Sequence, residues 1–219
     1  MPIAFGAATG QEFAAATSYT VSAVTASGTN KYALVMVGLR TNTGDISGVT
    51  FNGVAMTELQ QLNKSASTMT IWLFGLANPT TGDVVITGDT SLAAEVIVSI
   101  YTGVAQTGST GIIATATGDS TTPSVAVTSA TDELVVDIVG WNAGDDGTAG
   151  AGQTKRSEAF IGTGASMDVA TSDEAGAASV TMSWVVTAGG GWLIIGIPLK
   201  PASDSNTAFL TFFGPQPQQ

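Results

Sequence analysis

The 219-residue chain contains neither cysteine nor histidine. Without thiols it cannot form a disulfide framework, a cysteine nucleophile or a thiolate metal site. Without imidazole it cannot build a Ser-His-Asp relay or a histidine-ligated zinc centre, which removes the commonest hydrolase designs. These two absences point away from an enzyme, and we predict no cofactor and no metal centre.

Positive charge is also scarce, with 6 Lys plus Arg against 17 Asp plus Glu and a formal net charge of −11. Such a chain repels a phosphate backbone, so we expect no nucleic-acid partner. The longest apolar run, Gly191–Leu199, is about half of the ~20 residues that a membrane-spanning helix needs. The first residues lack the basic stretch and apolar core of a signal peptide. We therefore expect no membrane partner.

Strand patterns dominate what is present. Met69, Ile71 and Leu73 alternate with Thr68, Thr70 and Trp72, which is the period of a half-buried strand. The dipeptide Asn52-Gly53 between two β-branched runs predicts a tight hairpin turn. Other runs are apolar on both faces and predict central strands covered on each side; they are Tyr32–Leu39, Val96–Tyr101, Leu134–Val139 and Trp192–Leu199.

Helical periodicity is almost absent, apart from one turn that residues 11–17 can form. The pattern predicts an all-β fold: an antiparallel two-sheet β-sandwich of jelly-roll type, as one domain over residues 18–200. Residues 1–17 are expected to be an arm that pins aromatic side chains on this domain, and residues 201–219 a second arm or tail. Turns are expected at Gly88-Asp89 and at Asp173-Glu174.

Oligomer or particle contacts are predicted for aromatic and apolar residues of the two arms. In the tail they belong to the run Ala208–Phe213, which can dock on its own body, add a strand to a neighbouring subunit, or form a sticky patch on a disordered end. The candidate contact residues are Phe5, Phe209, Leu210, Phe212 and Phe213.

Acidic residues offer two weaker candidates. Asp145 and Asp146 lie in a glycine-rich loop that can hold Ca²⁺, but the spacing of a calcium loop is missing and a solvated turn is the favoured interpretation. Glu95 and Asp137 stand inside apolar strands and can be the carboxylate pair of a glycosidase. The favoured alternative is that each is an edge-facing acid or one paired with Lys or Arg, within or between subunits.

Four tryptophans can stack on sugars. Trp184 and Trp192 lie in strong strand patterns and are predicted to be core residues, whereas Trp72 and Trp141 are predicted to form a ligand or interface surface. The basic doublet Lys155-Arg156 is too isolated for nucleic acid but suits an interface salt bridge.

Several segments, in their order and spacing, resemble a jelly-roll or β-sandwich module encoded by tailed bacteriophages and by some large bacterial surface proteins. The resemblance spans residues 3–200 and rests on Ile3–Phe5, Ala33–Val37, Val49–Thr57, Leu73–Gly82, Ser99–Val104 and Glu133–Asp137.

The resemblance implies a structural virion protein that decorates and cements a phage capsid. Its expected partners are further copies of itself, with a homotrimer favoured, and the major capsid protein. Its expected location is the capsid exterior. The alternative is a carbohydrate-binding or host-adhesion module of a phage tail or a bacterial surface, which would use Trp72 or Trp141.

Overall fold

The fold was determined as a computed structural model, which describes residues 1–41, 43–142, 146–160, 167–187 and 190–203. The described residues form fifteen strands and one short 3₁₀ turn, Ser65–Ser67. The strands are β1 Ala4–Val24, β2 Tyr32–Leu39, β3 Ile46–Phe51, β4 Val54–Ala55, β5 Thr57–Lys64, β6 Met69–Ala77, β7 Gly82–Thr102, β8 Ala114–Gly118, β9 Ser124–Val127, β10 Leu134–Asn142, β11 Thr148–Ala149, β12 Thr154–Phe160, β13 Met167–Ala175, β14 Val180–Val185 and β15 Trp192–Leu199.

Sheet I is built from the first half of the chain. Its seven strands follow the order β4-β3-β7-β2-β6-β5, with β1 paired to the other side of β7. Strands β1 and β7 are each 21 residues long and run antiparallel from end to end. Strand β7 pairs with β3 through its first part and with β2 through its second part. The β1–β7 ribbon therefore connects two parts of one sheet.

This ribbon bends sharply near its middle, where the register of β1 shifts between Phe13 and Ser18. The Tyr19 hydroxyl lies 2.6 Å from the carbonyl oxygens of both Ala16 and Leu92, and the Phe13 ring packs against the Tyr19 ring with centroids 5.5 Å apart. The bend folds the β3 part of sheet I over its β2 part. The apolar side chains between these two parts form core 1, which includes Val35, Val37, Phe51, Trp72, Val84, Ile86 and Val96.

The second half of the chain forms two further sheets. Sheet II follows the order β12-β13-β10-β15-β8, and sheet III the order β11-β14-β9. Core 2 lies between sheets I and II and includes Leu34, Met36, Ile71, Ile138, Val169 and Ile195. Core 3 lies between sheets II and III and includes Val127, Val139, Trp141, Met182, Trp184 and Ile194.

The all-β, antiparallel architecture of the prediction is confirmed. Strands β2 and β15 have the predicted bounds, and both are buried along their whole length. The turn at Asn52-Gly53 is present, with φ values of 47° and 76°. The jelly-roll connectivity is not confirmed, because each described sheet takes its strands from one half of the chain.

Three local predictions are wrong. Residues 11–17 are strand rather than helix, because the ladder there is formed with β7. Gly88-Asp89 lies inside β7 and does not end it. The Asp89 amide donates to the Asp45 carbonyl, and Asp89 Oδ1 accepts from the Asp45 amide. Asp173-Glu174 lies inside β13, where Arg156 pairs with Asp173. The arm boundary predicted at residue 18 falls within β1.

Replacing the tyrosine at the bend tests its importance. We expect Tyr19→Phe to lower the free energy of unfolding by about 1–2 kcal/mol, because the Ala16 and Leu92 carbonyls lose their shared donor. Tyr32→Phe is the matched control, since Tyr32 is also buried and no side-chain hydrogen bond of its hydroxyl is found among the described residues. Urea denaturation of both variants measures the difference, and equal midpoints would contradict the role given to Tyr19.

Candidate functional site

The tryptophans do not form a ligand surface. Trp72 and Trp141 are 0% and 1% exposed, so the prediction that they line a sugar-binding or interface surface is wrong. Trp72 lies in core 1, and Trp141 stacks on Trp184 in core 3 with ring centroids 6.3 Å apart. The prediction that Trp184 and Trp192 are core residues is confirmed.

The error at Trp72 has a physical cause. Trp72 shares a strand face with Thr70, and a threonine-bearing face suggests solvent. In the folded protein the β3 part of sheet I covers this face, so Thr70 is only 1% exposed. Its hydroxyl donates to the Thr41 carbonyl at 2.7 Å, which satisfies the buried polar group.

Of the predicted contact residues, Phe5 lies within the described part of the chain. Its half-buried ring packs edge-on against Tyr101 with centroids 5.7 Å apart, and the Arg156 guanidinium lies 4.3 Å from its centroid. Phe5 therefore fixes the start of β1 to sheet II. The tail candidates Phe209, Leu210, Phe212 and Phe213, and the loop candidate Asp145, lie outside the described residues.

The basic doublet is used within the chain. Arg156 forms a two-pronged ion pair with Asp173, through Nε to Oδ2 and Nη2 to Oδ1, each at 2.7 Å. Lys155 pairs with Asp146 and Glu158. These bonds lower the pKa of Asp146, which is otherwise exposed. Within the described residues, no group of three or more acidic side chains is arranged to hold a metal ion.

A buried polar network surrounds Asp137 on the sheet III side of sheet II. Asp137 Oδ1 accepts from the Ser172 amide and from the Ser172 hydroxyl, both at 2.8 Å. Asp137 Oδ2 accepts from Trp184 Nε1 at 2.6 Å and from Gln153 Nε2 at 3.5 Å. Burial raises the pKa of Asp137 to about 7, against the opposing effect of the bonds from Trp184 and Ser172.

A tight turn brings Gln153 into this network. Gly150 donates its amide to the Ser183 carbonyl at 2.8 Å, the Gln153 amide donates to the Gly150 carbonyl at 3.2 Å, and Gly152 adopts a φ of 91° that favours glycine. The Gln153 side chain then donates from Nε2 to Ser172 Oγ at 2.7 Å and accepts at Oε1 from the Ser183 amide at 2.7 Å. The sequence offered no signal for this cluster, because its members are distant along the chain.

The proposed pair of carboxylates is not a pair. Glu95 and Asp137 are both buried, with exposures of 2% and 0%, so the interpretation of either as an edge-facing acid is wrong. Asp137 faces core 3 through Trp184, whereas Glu95 alternates with the core 1 residues Ala94 and Val96 and therefore faces sheet II. Sheet II separates the two carboxylates, which excludes the arrangement of two acids across one glycosidic bond.

Strand β1 is an edge strand of sheet I, and β12 packs closely against it at Gly10. Within the described residues it pairs with β7 alone, and its register with β7 is unbroken from Ala7 to Phe13. Glu12 is the sole charged residue of this strand, which contains no proline. Edge strands are usually protected by charges, prolines or bulges, and β1 relies on bulges outside this stretch.

Both ends of the described chain meet at one cleft of about 720 Å³. Residues 1–3 form one side of it, and residues 201–203 lie beside them, with the Met1 amino group 3.4 Å from the Ala202 carbonyl oxygen. The rest of the lining comes from residues 131–134 and Ala175. The point at which the sequence continues into the aromatic tail therefore lies at this cleft.

Comparison of the chain with protein-family models, curated proteins and solved structures gave no match. The resemblance to phage virion modules therefore stays an expectation. In the part of the chain that the structure describes, no helix has the length and apolar character required to cross a membrane.

The buried side chain of Glu95 predicts that the stability of the fold falls as the pH rises. Burial raises the pKa of Glu95 from 4.5 to about 8, and the nearby carboxylates of Asp168 and Glu12 add to the shift. The unfolded chain loses this proton near pH 4.5, whereas the folded chain keeps it, so folding becomes less favourable as pH rises from about 4.5 to 8. Within this window the free energy of unfolding falls by up to about 1.4 kcal/mol for each pH unit.

We expect Glu95→Gln to remove this contribution, so that its unfolding free energy declines less than that of the wild type between about pH 5 and pH 7.5. Glu58→Gln, at an exposed position of β5, is the control and should follow the wild-type curve. Chemical denaturation at several pH values gives the slopes. Parallel curves for the wild type and Glu95→Gln would show that Glu95 does not carry a raised pKa.

Proposed function

We propose that this chain is a structural virion protein that decorates and cements a phage capsid. Its partners are further copies of itself, as a small homo-oligomer such as a trimer, and the major capsid protein on the outside of the particle. The proposal is supported by the edge position of β1 and by the place at which the aromatic tail follows the described chain. Such a protein acts by binding the subunits next to it on the particle.

The observation that carries the proposal is the edge of β1. In an antiparallel ladder every second residue of an edge strand turns its N–H and C=O groups away from its partner. Along Ala7–Phe13 the one charged side chain is that of Glu12, and most of the residues are alanine, threonine or glycine. A strand from a neighbouring molecule can add to such an edge by main-chain hydrogen bonds.

The tail gives the second contact of the proposal. The cleft formed by residues 1–3, 131–134 and 201–203 is the point after which the sequence continues from Asp204 to Gln219. This tail contains three phenylalanines, and aromatic anchors contribute strongly when they fill a pocket of a partner. Two weak contacts on one molecule bind more tightly together than either does alone when both can be made at once, as on the repeated subunits of a capsid.

Lysines introduced along the β1 edge test whether a strand from another molecule binds there. We expect the double variant Thr9→Lys, Gln11→Lys to weaken self-association by about tenfold or more, because lysines on an edge strand disfavour strand addition. The control Thr57→Lys, Gln61→Lys changes the net charge equally on the edge strand β5. Sedimentation velocity over a concentration series measures both, and equal dissociation constants would contradict the use of β1.

Truncation tests the second contact. We expect a chain ending at Ser203 to lose about tenfold or more in binding to capsids assembled from the major capsid protein, because each lost aromatic anchor is worth on the order of 1–2 kcal/mol. A chain ending at Phe213 keeps the three phenylalanines and should bind like the full chain. Co-sedimentation with the capsids gives the affinities. Unchanged binding of the shorter chain, or glycan binding by the full chain on an array, would count against cementing.

A further inference from the structure

We infer that Ser172 and Gln153 form an internal ester cross-link, with Asp137 as the base that promotes it. The three side chains meet in the polar network between sheets II and III. Each supplies one part that acyl transfer requires: a hydroxyl nucleophile, a carboxamide electrophile and a carboxylate that moves the proton.

The nucleophile and the base are in direct contact. The Ser172 hydroxyl donates to Asp137 Oδ1 at 2.8 Å, so its proton already points at the group that would remove it. Both residues are 0% exposed. Burial holds the pKa of Asp137 at about 7, which suits a base working at neutral pH.

The electrophile lies beside the nucleophile, and Gln153 Nε2 donates to Ser172 Oγ. The Ser183 amide donates to Gln153 Oε1 at 2.7 Å, which fixes the orientation of the carboxamide and supplies a donor for negative charge on that oxygen. The Gln153 Nε2 group lies 2.7 Å from Ser172 Oγ and 3.5 Å from Asp137 Oδ2. The attacking oxygen is therefore next to the carboxamide, and the leaving nitrogen is next to the carboxyl group.

The reaction balances without any further reactant. Ser172 Oγ attacks Gln153 Cδ while Asp137 takes the hydroxyl proton, and the tetrahedral oxyanion is held by the Ser183 amide. The Cδ–Nε2 bond then breaks, and Asp137 returns the proton to the departing nitrogen. The products are an ester between the two side chains and one molecule of ammonia, with no oxidation or reduction.

The cross-link would replace the hydrogen bond between Gln153 and Ser172 with a covalent bond. Gln153 lies in the turn between β11 and β12, and Ser172 lies in β13 directly opposite Asp137 of β10. Because β11 belongs to sheet III and β13 to sheet II, the ester would tie the turn of the outer sheet to the inner one.

Intact-mass spectrometry of the purified full chain tests the inference directly. We expect a mass lower than that of the sequence by one ammonia molecule. Trypsin cuts after Lys64, Lys155 and Arg156, which separates the fragment with Gln153 from the fragment with Ser172. The two fragments should therefore appear as one cross-linked species, and hydroxylamine, which cleaves esters, should release them.

Three variants assign the roles. Ser172→Ala should restore the full mass, and Asp137→Asn should slow the loss of ammonia by about 100-fold or more, as expected on removal of a general base. Ser124→Ala is the matched control, because this serine is exposed on β9 and lies outside the network; it should cross-link like the wild type. Circular dichroism checks that each variant folds.

The wild-type protein alone can overturn the inference, whatever the variants do. A folded wild-type chain that keeps the mass of its sequence after prolonged incubation near neutral pH excludes the ester. So does a chain in which Gln153 has become glutamate while its tryptic fragment stays separate from that of Ser172.

Discussion

The structure depends on the burial of both faces of the central strands of sheet I. Strand β2 is buried along its whole length, with Val35 facing core 1 and Met36 facing core 2. Sheet II covers one face, whereas the other is covered by sheet I itself, through the bend of the β1–β7 ribbon. A sheet that supplies its own cover needs long strands, and this explains why β1 and β7 are each 21 residues long.

The sequence predicts what depends on neighbours in the chain, and it fails for what depends on distant ones. The bounds of β2 and β15 follow from unbroken apolar runs, and the Asn52-Gly53 turn follows from the backbone preferences of two residues. The surface position predicted for Trp72 is wrong because the part of sheet I that covers it is contributed by strands remote in sequence. The same holds for the candidate site, where no spacing rule connects residues 137, 153, 172 and 184.

Buried acids are unexpected in a chain so poor in cations, and the fold accommodates them in two ways. Asp173 has an arginine partner, Arg156, in a two-pronged pair whose carboxylate is nearly closed to solvent. Asp137 is instead surrounded by neutral donors from a serine, a tryptophan and a glutamine. Burial raises the pKa of Asp137 to about 7, so this carboxylate can take up a proton near neutral pH.

The division of the sheets between the two halves of the chain has a consequence for biosynthesis. Sheet I is complete once residue 102 has been made, so its hydrogen bonds do not have to wait for the rest of the polypeptide. Its core 2 face, with Leu34 and Ile71, stays uncovered until residues 134–199 have emerged and paired. A nascent chain therefore carries a formed but exposed apolar sheet for the time needed to translate about half of its length, and during that interval it is most exposed to chaperones and to aggregation.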